Sequence, residues 1–247
     1  MTEAKRYKVQ SEIAGEKSSS LRRYQDLIIG SRSWGDLVVY ELVQLFASWV
    51  PGALGLFLRK HLYPLLLGDC GSGVVFGKDV VIRHGKRIKI GSGVIVDDGV
   101  LLDAKGDGNG GIELGENVFI GRGSILSCKG GQIRLGARSN VGFHSEIFSS
   151  NKVEIGEDVM IAAYVYILGG GTYGISRTDI PMNQQYDFDG KGGVVVGDDV
   201  WLAAHVVVFD GVSIGSGAVV GASAVVNRDV PEREVVVGIP ARTVSQR

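Results

Sequence analysis

The chain has few cysteines and no excess of charge of either sign. Only two cysteines, Cys70 and Cys128, occur among 247 residues, and they lie too far apart for a disulfide framework or a metal knuckle. We therefore expect reduced thiols in a cytoplasmic protein. Because 26 basic residues stand against 27 acidic ones, the formal charge of -1 gives no electrostatic argument for nucleic-acid binding.

An apolar run of membrane length is also missing. The N-terminal residues are polar and of mixed charge, without the apolar core of a secretory signal. Residues 42–58 carry no charge, but Pro51 interrupts them, and a membrane span needs about 20 apolar residues. These features predict two short helices, over residues 35–49 and 52–66.

Two roles are open for the apolar face of these helices. The face can pack against the rest of the protein or a neighbouring subunit, or it can lie peripherally on the inner face of a membrane. The second interpretation depends on cationic side chains beside the apolar face. The candidates are Arg59, Lys60 and His61.

What the chain has in abundance is a six-residue repeat. Between residues 194 and 229 six hexads follow one another without a break, and the third place of each is aliphatic. This period fits neither an α-helix nor a plain alternating strand, and it indicates a stacked solenoid. The third-place residues are Val196, Leu202, Val208, Ile214, Val220 and Val226.

The repeat extends upstream in sets of three third-place residues. Each set predicts one triangular coil, and neighbouring coils should stack about 4.8 Å apart. Extra residues always follow the third member of a set, so every insertion should leave the solenoid at one edge. The sets are Ile90, Val96 and Leu102; Leu114, Ile120 and Leu126; Leu135, Val141 and Ile147; and Ile155, Ile161 and Ile167, preceded by Phe76 and Ile82.

Four segments carry a resemblance to a known family: DIPMNQQ (179–185), VVVGDDVWLAAHVVVFDGVSIGSGAVVGASAVV (194–226), DVP (229–231) and GIPAR (238–242). Through them the chain resembles the hexapeptide-repeat acyltransferases, and within these the sugar O-acetyltransferase branch. The resemblance implies a mainly β fold, a left-handed parallel β-helix with a short N-terminal helical region. Residues 1–70 would form a polar tail and the helical region. Residues 71–247 would form the acyltransferase domain, with a loop at 168–193 and a C-terminal CoA-binding segment.

The resemblance also implies an activity. It implies a homotrimeric enzyme of polysaccharide biosynthesis that moves an acyl group, most simply from acetyl-CoA, to a hydroxyl of a saccharide or a lipid-linked saccharide, without a metal. Asp179 and Gln184, in the long loop, would contact the acceptor. The residues at the family's cofactor positions are Ala204, Ala222, Asn227, Arg228 and Arg242.

The position of the general base departs from the family's pattern. Acyl transfer needs a group that removes the acceptor's proton, and in this branch a histidine after the strand before the long loop supplies it. Here that position falls on Thr172 or Tyr173. The repeat aligns His144, Tyr164 and His205 in one column that spans about 10 Å along an edge. We predict His144 as the catalytic base and Tyr173 as the second candidate.

Several alternatives stay open at this point. Catalysis could be water-mediated, substrate-assisted or absent, and the rival to an enzyme is a non-catalytic hexapeptide-repeat scaffold or CoA-binding protein. The two remaining histidines, His61 and His84, are expected at the surface.

Overall fold

Three short helical segments precede the repeat. The computed structural model describes residues 19–106, 110–171, 177–179, 181–182, 185 and 190–247. The segments are α1 (Ser20–Tyr24) with a π-helical turn (Gln25–Ile29), α2 (Trp34–Val43) with a second π-helical turn (Gln44–Ser48), and α3 (Gly52–Leu62) with a 3-10 turn (Tyr63–Leu66). The last two agree with the predicted helices. Within the described ranges, no helix is long and apolar enough to cross a bilayer.

The rest of the chain winds through three parallel sheets, which form a prism. The first sheet holds β1 (Asp69–Cys70), β4 (Ile88–Ile90), β7 (Ile112–Leu114), β10 (Gln132–Leu135), β13 (Lys152–Ile155), β16 (Val194–Val196) and β19 (Ser213–Ile214). The second holds β2 (Val75–Phe76), β5 (Ile95–Val96), β8 (Phe119–Ile120), β11 (Asn140–Val141), β14 (Met160–Ile161), β17 (Trp201–Leu202), β20 (Val219–Val220), β22 (Glu234–Val237) and β23 (Arg242–Gln246). The third holds β3 (Val81–Arg83), β6 (Leu101–Lys105), β9 (Ile125–Lys129), β12 (Glu146–Ser149), β15 (Tyr166–Gly169), β18 (Val207–Val208) and β21 (Val225–Val226).

The strand register confirms the predicted repeat. Leu114, Leu135 and Ile155, one from each of three consecutive sets, lie opposite one another on neighbouring strands and are buried. Every described insertion leaves between the third sheet and the first, as expected. The expected fold class, a left-handed parallel β-helix with a short N-terminal helical region, is confirmed.

The helices close the N-terminal end of the prism. We call residues 19–66 the helical cap. In later coils a core carbonyl accepts an amide of the coil before it, as Val96 O accepts Gly77 N at 2.7 Å. The first coil has no coil before it, and side chains of the cap take that place: Arg59 Nε donates to Phe76 O at 2.9 Å and Tyr63 Oη to Val80 O at 2.9 Å. The cap thus supplies hydrogen bonds that a missing coil would have made.

Arg59 has a different role from the one expected from the sequence. It is only 2% exposed, so the expectation that it flanks the apolar face is wrong, whereas Lys60 and His61 are exposed. Its Nη1 also donates to Ala47 O at 3.1 Å, in the last turn of the preceding helical segment, and to Val50 O at 2.7 Å, just beyond it. A buried guanidinium in this position is stabilised by its hydrogen bonds to the carbonyl groups and by the negative end of the helix dipole.

His84 is likewise buried, and its expected surface position is wrong. Its side chain is 7% exposed, with Nδ1 at 3.2 Å from Asp103 Oδ1 and Nε2 at 3.1 Å from Asp26 O. Asp103 belongs to the prism and Asp26 to the cap. The ring therefore joins the two parts.

The C-terminal end of the prism is closed by a strand pair. β22 continues the second sheet in parallel with β20, and β23 then returns antiparallel to it. Above the third sheet, Val225 N donates to Gly238 O and Val225 O accepts Ala241 N. The last coil is therefore covered by the β22–β23 pair and the turn between these strands.

Candidate functional site

A column of stacked rings lies on the edge between the second and third sheets. The ring centroids of His144 and Tyr164 are 5.4 Å apart at an interplanar angle of 19°, and those of Tyr164 and His205 are 5.0 Å apart at 3°. All three residues are exposed. The predicted column and its extent of about 10 Å are confirmed.

The sharp corner of the coil orients these rings. Each of the three residues has a positive φ, between 53° and 61°, because the chain turns from one sheet to the next there. His144 N donates to Arg122 O at 3.0 Å, and Tyr164 and His205 repeat this bond in their coils. The preceding member of the column is Gly123, where a Cβ would lie 2.4 Å from His144 Nδ1. A side chain at position 123 would therefore have to displace the imidazole of His144.

Two buried serines fix the corner behind the rings. Ser145, next to His144, donates through Oγ to Ala162 O at 3.0 Å and accepts Val165 N at 3.1 Å. Its own amide donates to Ser124 Oγ at 3.2 Å. These bonds tie the corners of successive coils together, so the histidine and the tyrosine are held by the interior of the prism.

Two of the predicted cofactor residues lie on the same edge. Ala204 precedes His205, and the carbonyl of Ala204 accepts Ser223 N at 2.9 Å. This bond stacks Ala222 on Ala204 in the next coil. Among the described residues, the amides of Ala204 and Ala222 donate to no protein acceptor. Both amides are therefore available to the carbonyl groups of a ligand that runs along this edge.

The other three predicted cofactor residues are more dispersed. Arg242 pairs with Val237, whose side chain packs over Gly221 beside Ala222, so it lies toward the end of the ring-bearing edge. Asn227 and Arg228 follow β21 and are exposed, on the edge from which the insertions leave. One chain alone therefore does not bring all five together.

The predicted acceptor contacts fall in the long loop. Asp179 is exposed and forms an ion pair with Arg177, which lowers the pKa of the Asp179 carboxyl. Gln184 and Tyr173 lie outside the described residues. Sequence reasoning missed Gln185, which is buried and donates through Nε2 to Arg177 O at 2.7 Å. Its only signal in the sequence is its place at the end of the loop motif.

Arg122 is a further residue that the sequence analysis did not single out. Its guanidinium carbon lies 4.6 Å from the ring centroid of Phe143, the residue before His144. This is a cation–π contact, and it leaves an exposed positive charge beside the column. The repeat that aligns Gly123 with His144 also aligns Arg122 with Phe143 at the same corner, and this alignment could have indicated Arg122.

The free thiols are remote from this chemistry. Cys128 is buried in the third sheet, and burial raises the pKa of its thiol to about 12. A thiol with such a pKa stays protonated at neutral pH and is a poor nucleophile. Among the described residues, no group of three or more His, Cys, Asp or Glu side chains is arranged to hold a metal.

Comparison with known proteins gives relatives among acetyltransferases. No protein-family model matches the chain. The protein named "Putative lipopolysaccharide biosynthesis O-acetyl transferase WbbJ" of Escherichia coli K12 is 34% identical over 143 residues, which are 56% of this chain and 73% of that protein. Galactoside O-acetyltransferase of the same organism is 29% identical over 136 residues, 54% of this chain and 63% of the relative.

Solved structures show the same fold. The polySia-specific acetyltransferase NeuO has a TM-score of 0.57 at 24% identity, covering 72% of this chain and 76% of NeuO. A mutant of AntD, an N-acyltransferase from Bacillus cereus in complex with dTDP and coenzyme A, has a TM-score of 0.53 at 21% identity, covering 73% and 85%. At these identities the likeness concerns the fold.

Proposed function

Because the chain belongs to the hexapeptide-repeat acyltransferase family, we propose that it transfers an acetyl group from acetyl-CoA to a hydroxyl of a saccharide. The observation that carries this proposal is one edge of the prism, where an exposed histidine in a ring column lies in line with two amides that find no protein acceptor in the described part of the chain.

The residues of this edge fit the cofactor. The pantetheine arm of CoA contains amide carbonyls, which the amides of Ala204 and Ala222 can meet as hydrogen-bond donors. Arg242 would pair with a phosphate by charge-assisted bonds. Asn227 and Arg228 would reach the same cofactor from a neighbouring subunit, because they lie on another edge of their own prism. When bound, acetyl-CoA supplies an acyl group activated as a thioester.

His144 is the proposed general base. Its imidazole takes the proton of the acceptor hydroxyl as the oxygen forms its bond to the acyl carbon, and the proton is returned to the departing thiolate. Tyr164 and His205 support the ring by stacking, and Arg122 places a positive charge beside the reacting group. Tyr173 is the second candidate for the base, and Asp179 and Gln184 are the proposed acceptor contacts.

A trimer would complete the site. The outward residues of the second sheet are mostly apolar and exposed, including Ile95, Met160 and Trp201, whereas the first sheet carries charged ones such as Glu113 and Arg134. A large exposed apolar strip of this kind is typical of a subunit interface. The ring column borders this strip, so subunits that pack there would form a groove over His144.

We also propose that the helical cap lies against a membrane, which makes a lipid-linked saccharide the favoured acceptor. Trp34 and Trp49 are 68% and 60% exposed, and Phe57 is 60% exposed on the next helix. Exposed aromatic side chains on neighbouring helical segments, with Lys60 and His61 also exposed, are typical of interfacial helices. The alternative, that the cap packs in the trimer, predicts no binding to lipid.

The activity can be tested by thiol release from acetyl-CoA with a panel of soluble saccharides. We expect turnover by the wild type, and a fall in kcat of about 100-fold or more for His144→Gln, since a general base contributes at least that much. His61→Gln is the matched control, because it removes an exposed histidine outside the column. Unchanged turnover in His144→Gln would exclude it as the base, and no turnover with either soluble or lipid-linked saccharides would favour the scaffold.

A further inference from the structure

A basic cleft lies on the first sheet, away from the ring column. Its volume is about 300 Å³, and we call it the basic cleft. Four cations line it against one carboxylate, that of Glu113. The cations are Lys86, Arg87, Lys89 and Arg134.

Most of this positive charge is not compensated by the protein. Lys89 Nζ and Arg134 Nε share Glu113, at 3.3 Å and 2.9 Å. Lys86 Nζ donates only to main-chain carbonyls, those of Leu65 at 3.0 Å and Leu67 at 3.4 Å. Arg87 pairs with no carboxylate among the described residues. In a chain with a net charge of -1 this excess is local, and it creates a site for an anion.

Two glycines of the lining lie where neighbouring coils pack closely against each other. Gly110 and Gly111 belong to the lining. A Cβ at Gly111 would lie 2.2 Å from Arg87 O, and one at Gly110 would lie 2.1 Å from Gly131 O, so side chains are excluded at both positions. The four cations of the cleft suit a compact, multiply charged group such as a phosphate, which accepts charge-assisted bonds from several sides at once.

The position of the cleft suggests where that phosphate comes from. Lys86 binds the carbonyl of Leu65, and Leu65 belongs to the helical cap, where its side chain is 53% exposed. Cationic and apolar groups are therefore contiguous there. Stable attachment to a membrane usually needs two signals of this kind, buried apolar area and a polybasic patch. Each basic residue near an anionic surface adds attraction.

We propose that the basic cleft binds the phosphate of an anionic lipid headgroup and so orients the protein on the membrane. This inference rests on the proposed membrane contact of the cap. It is independent of the acyl-transfer chemistry, because none of its residues belongs to the ring-bearing edge.

Vesicle flotation of the full chain tests the proposal, with vesicles of phosphatidylcholine alone and of phosphatidylcholine with an equal amount of phosphatidylglycerol. The test variant combines Arg87→Gln and Lys89→Gln. Its control combines Arg138→Gln and Arg233→Gln, which removes the same charge away from the cleft; Arg138 pairs with Asp158 much as Lys89 pairs with Glu113, and Arg233 is exposed. We expect the test variant to bind the anionic vesicles about tenfold more weakly or worse, with the control near the wild type.

Each other outcome is decisive. Equal flotation of the wild type with both vesicles retains the membrane contact and overturns the cleft, and so does an equal loss in both variants. Flotation with neither overturns the cleft and the membrane contact together. Calorimetry with inorganic phosphate is the second arm: phosphate binding without any preference for anionic vesicles would make the source free phosphate and overturn the lipid assignment. Thiol release with a soluble saccharide should be unchanged in the test variant, so failure here is distinct from failure of the acyltransferase proposal.

Discussion

The prism and the helical cap are stabilised in different ways. In the prism one rule repeats, in which an aliphatic residue every sixth place faces inward and each coil bonds to the next. The cap also packs apolar residues into this core. Its polar attachment, however, depends on a few side chains that differ from one another, Arg59 and Tyr63 of the cap and His84 of the prism. The difference shows that a repeat supplies its own neighbours, whereas its end needs individually placed donors.

Replacing Arg59 should have the largest effect on the attachment of the cap to the prism. Arg59→Met removes three hydrogen bonds from a buried cation and leaves three carbonyls unpaired. We expect the cap to lose roughly 3 to 5 kcal/mol of its docking free energy. Limited proteolysis should then cut within residues 19–66 while the thermal transition of the prism persists.

Lys60→Met is the control, because it removes an exposed cation from the next position of the same helix. If proteolysis of Arg59→Met matched that control, the guanidinium would not hold the cap. If the whole chain unfolded in one step, the cap and prism would be one cooperative unit.

Replacing a buried serine of the prism should have a smaller effect on stability. Ser145→Ala leaves Ala162 O and Val165 N without their partner, which should cost about 2 kcal/mol. Denaturant unfolding followed by circular dichroism should show the loss, and the cap should stay protease-resistant. Ser213→Ala, at an exposed strand position, should cost nothing measurable; an equal loss there would remove the special role of the corner serine.

The smallest effect appears only in alkali. Burial raises the pKa of Tyr40 in the cap to about 12, against about 10 in an unfolded chain. Because the folded pKa is the higher one, this stabilisation is complete below pH 10 and is lost as the pH rises toward 12. Cap proteolysis should therefore increase over that window, and less so in Tyr40→Phe. An identical pH profile in that variant would assign the transition to other groups.

The sequence predicts the prism because the residues that form its core recur at a fixed spacing. The register of all the third-place residues, the edge of the insertions and the alignment of His144 with His205 follow from counting in sixes. The two helices after residue 34 follow from their apolar content and Pro51.

What the sequence does not predict depends on contacts between distant segments. In the sequence Arg59 looks like a surface cation, because it follows an apolar run and stands beside two other basic residues. Its acceptor, Phe76 O, lies 17 residues away. His84 is similar, since its carbonyl partner on Asp26 is 58 residues away. Neither separation leaves a pattern in a single sequence.

The covered ends of the prism have a consequence for how long the stack can grow. A coil bonded to a coil by parallel strands has no intrinsic length limit, and two bare ends would match each other as well as two consecutive turns do. Such molecules would join head to tail into a fibril-like rod. Arg59 and Tyr63 at one end and the β22–β23 pair at the other use up the groups that would otherwise seed polymerisation, so the same bonds that finish the fold also keep each molecule discrete.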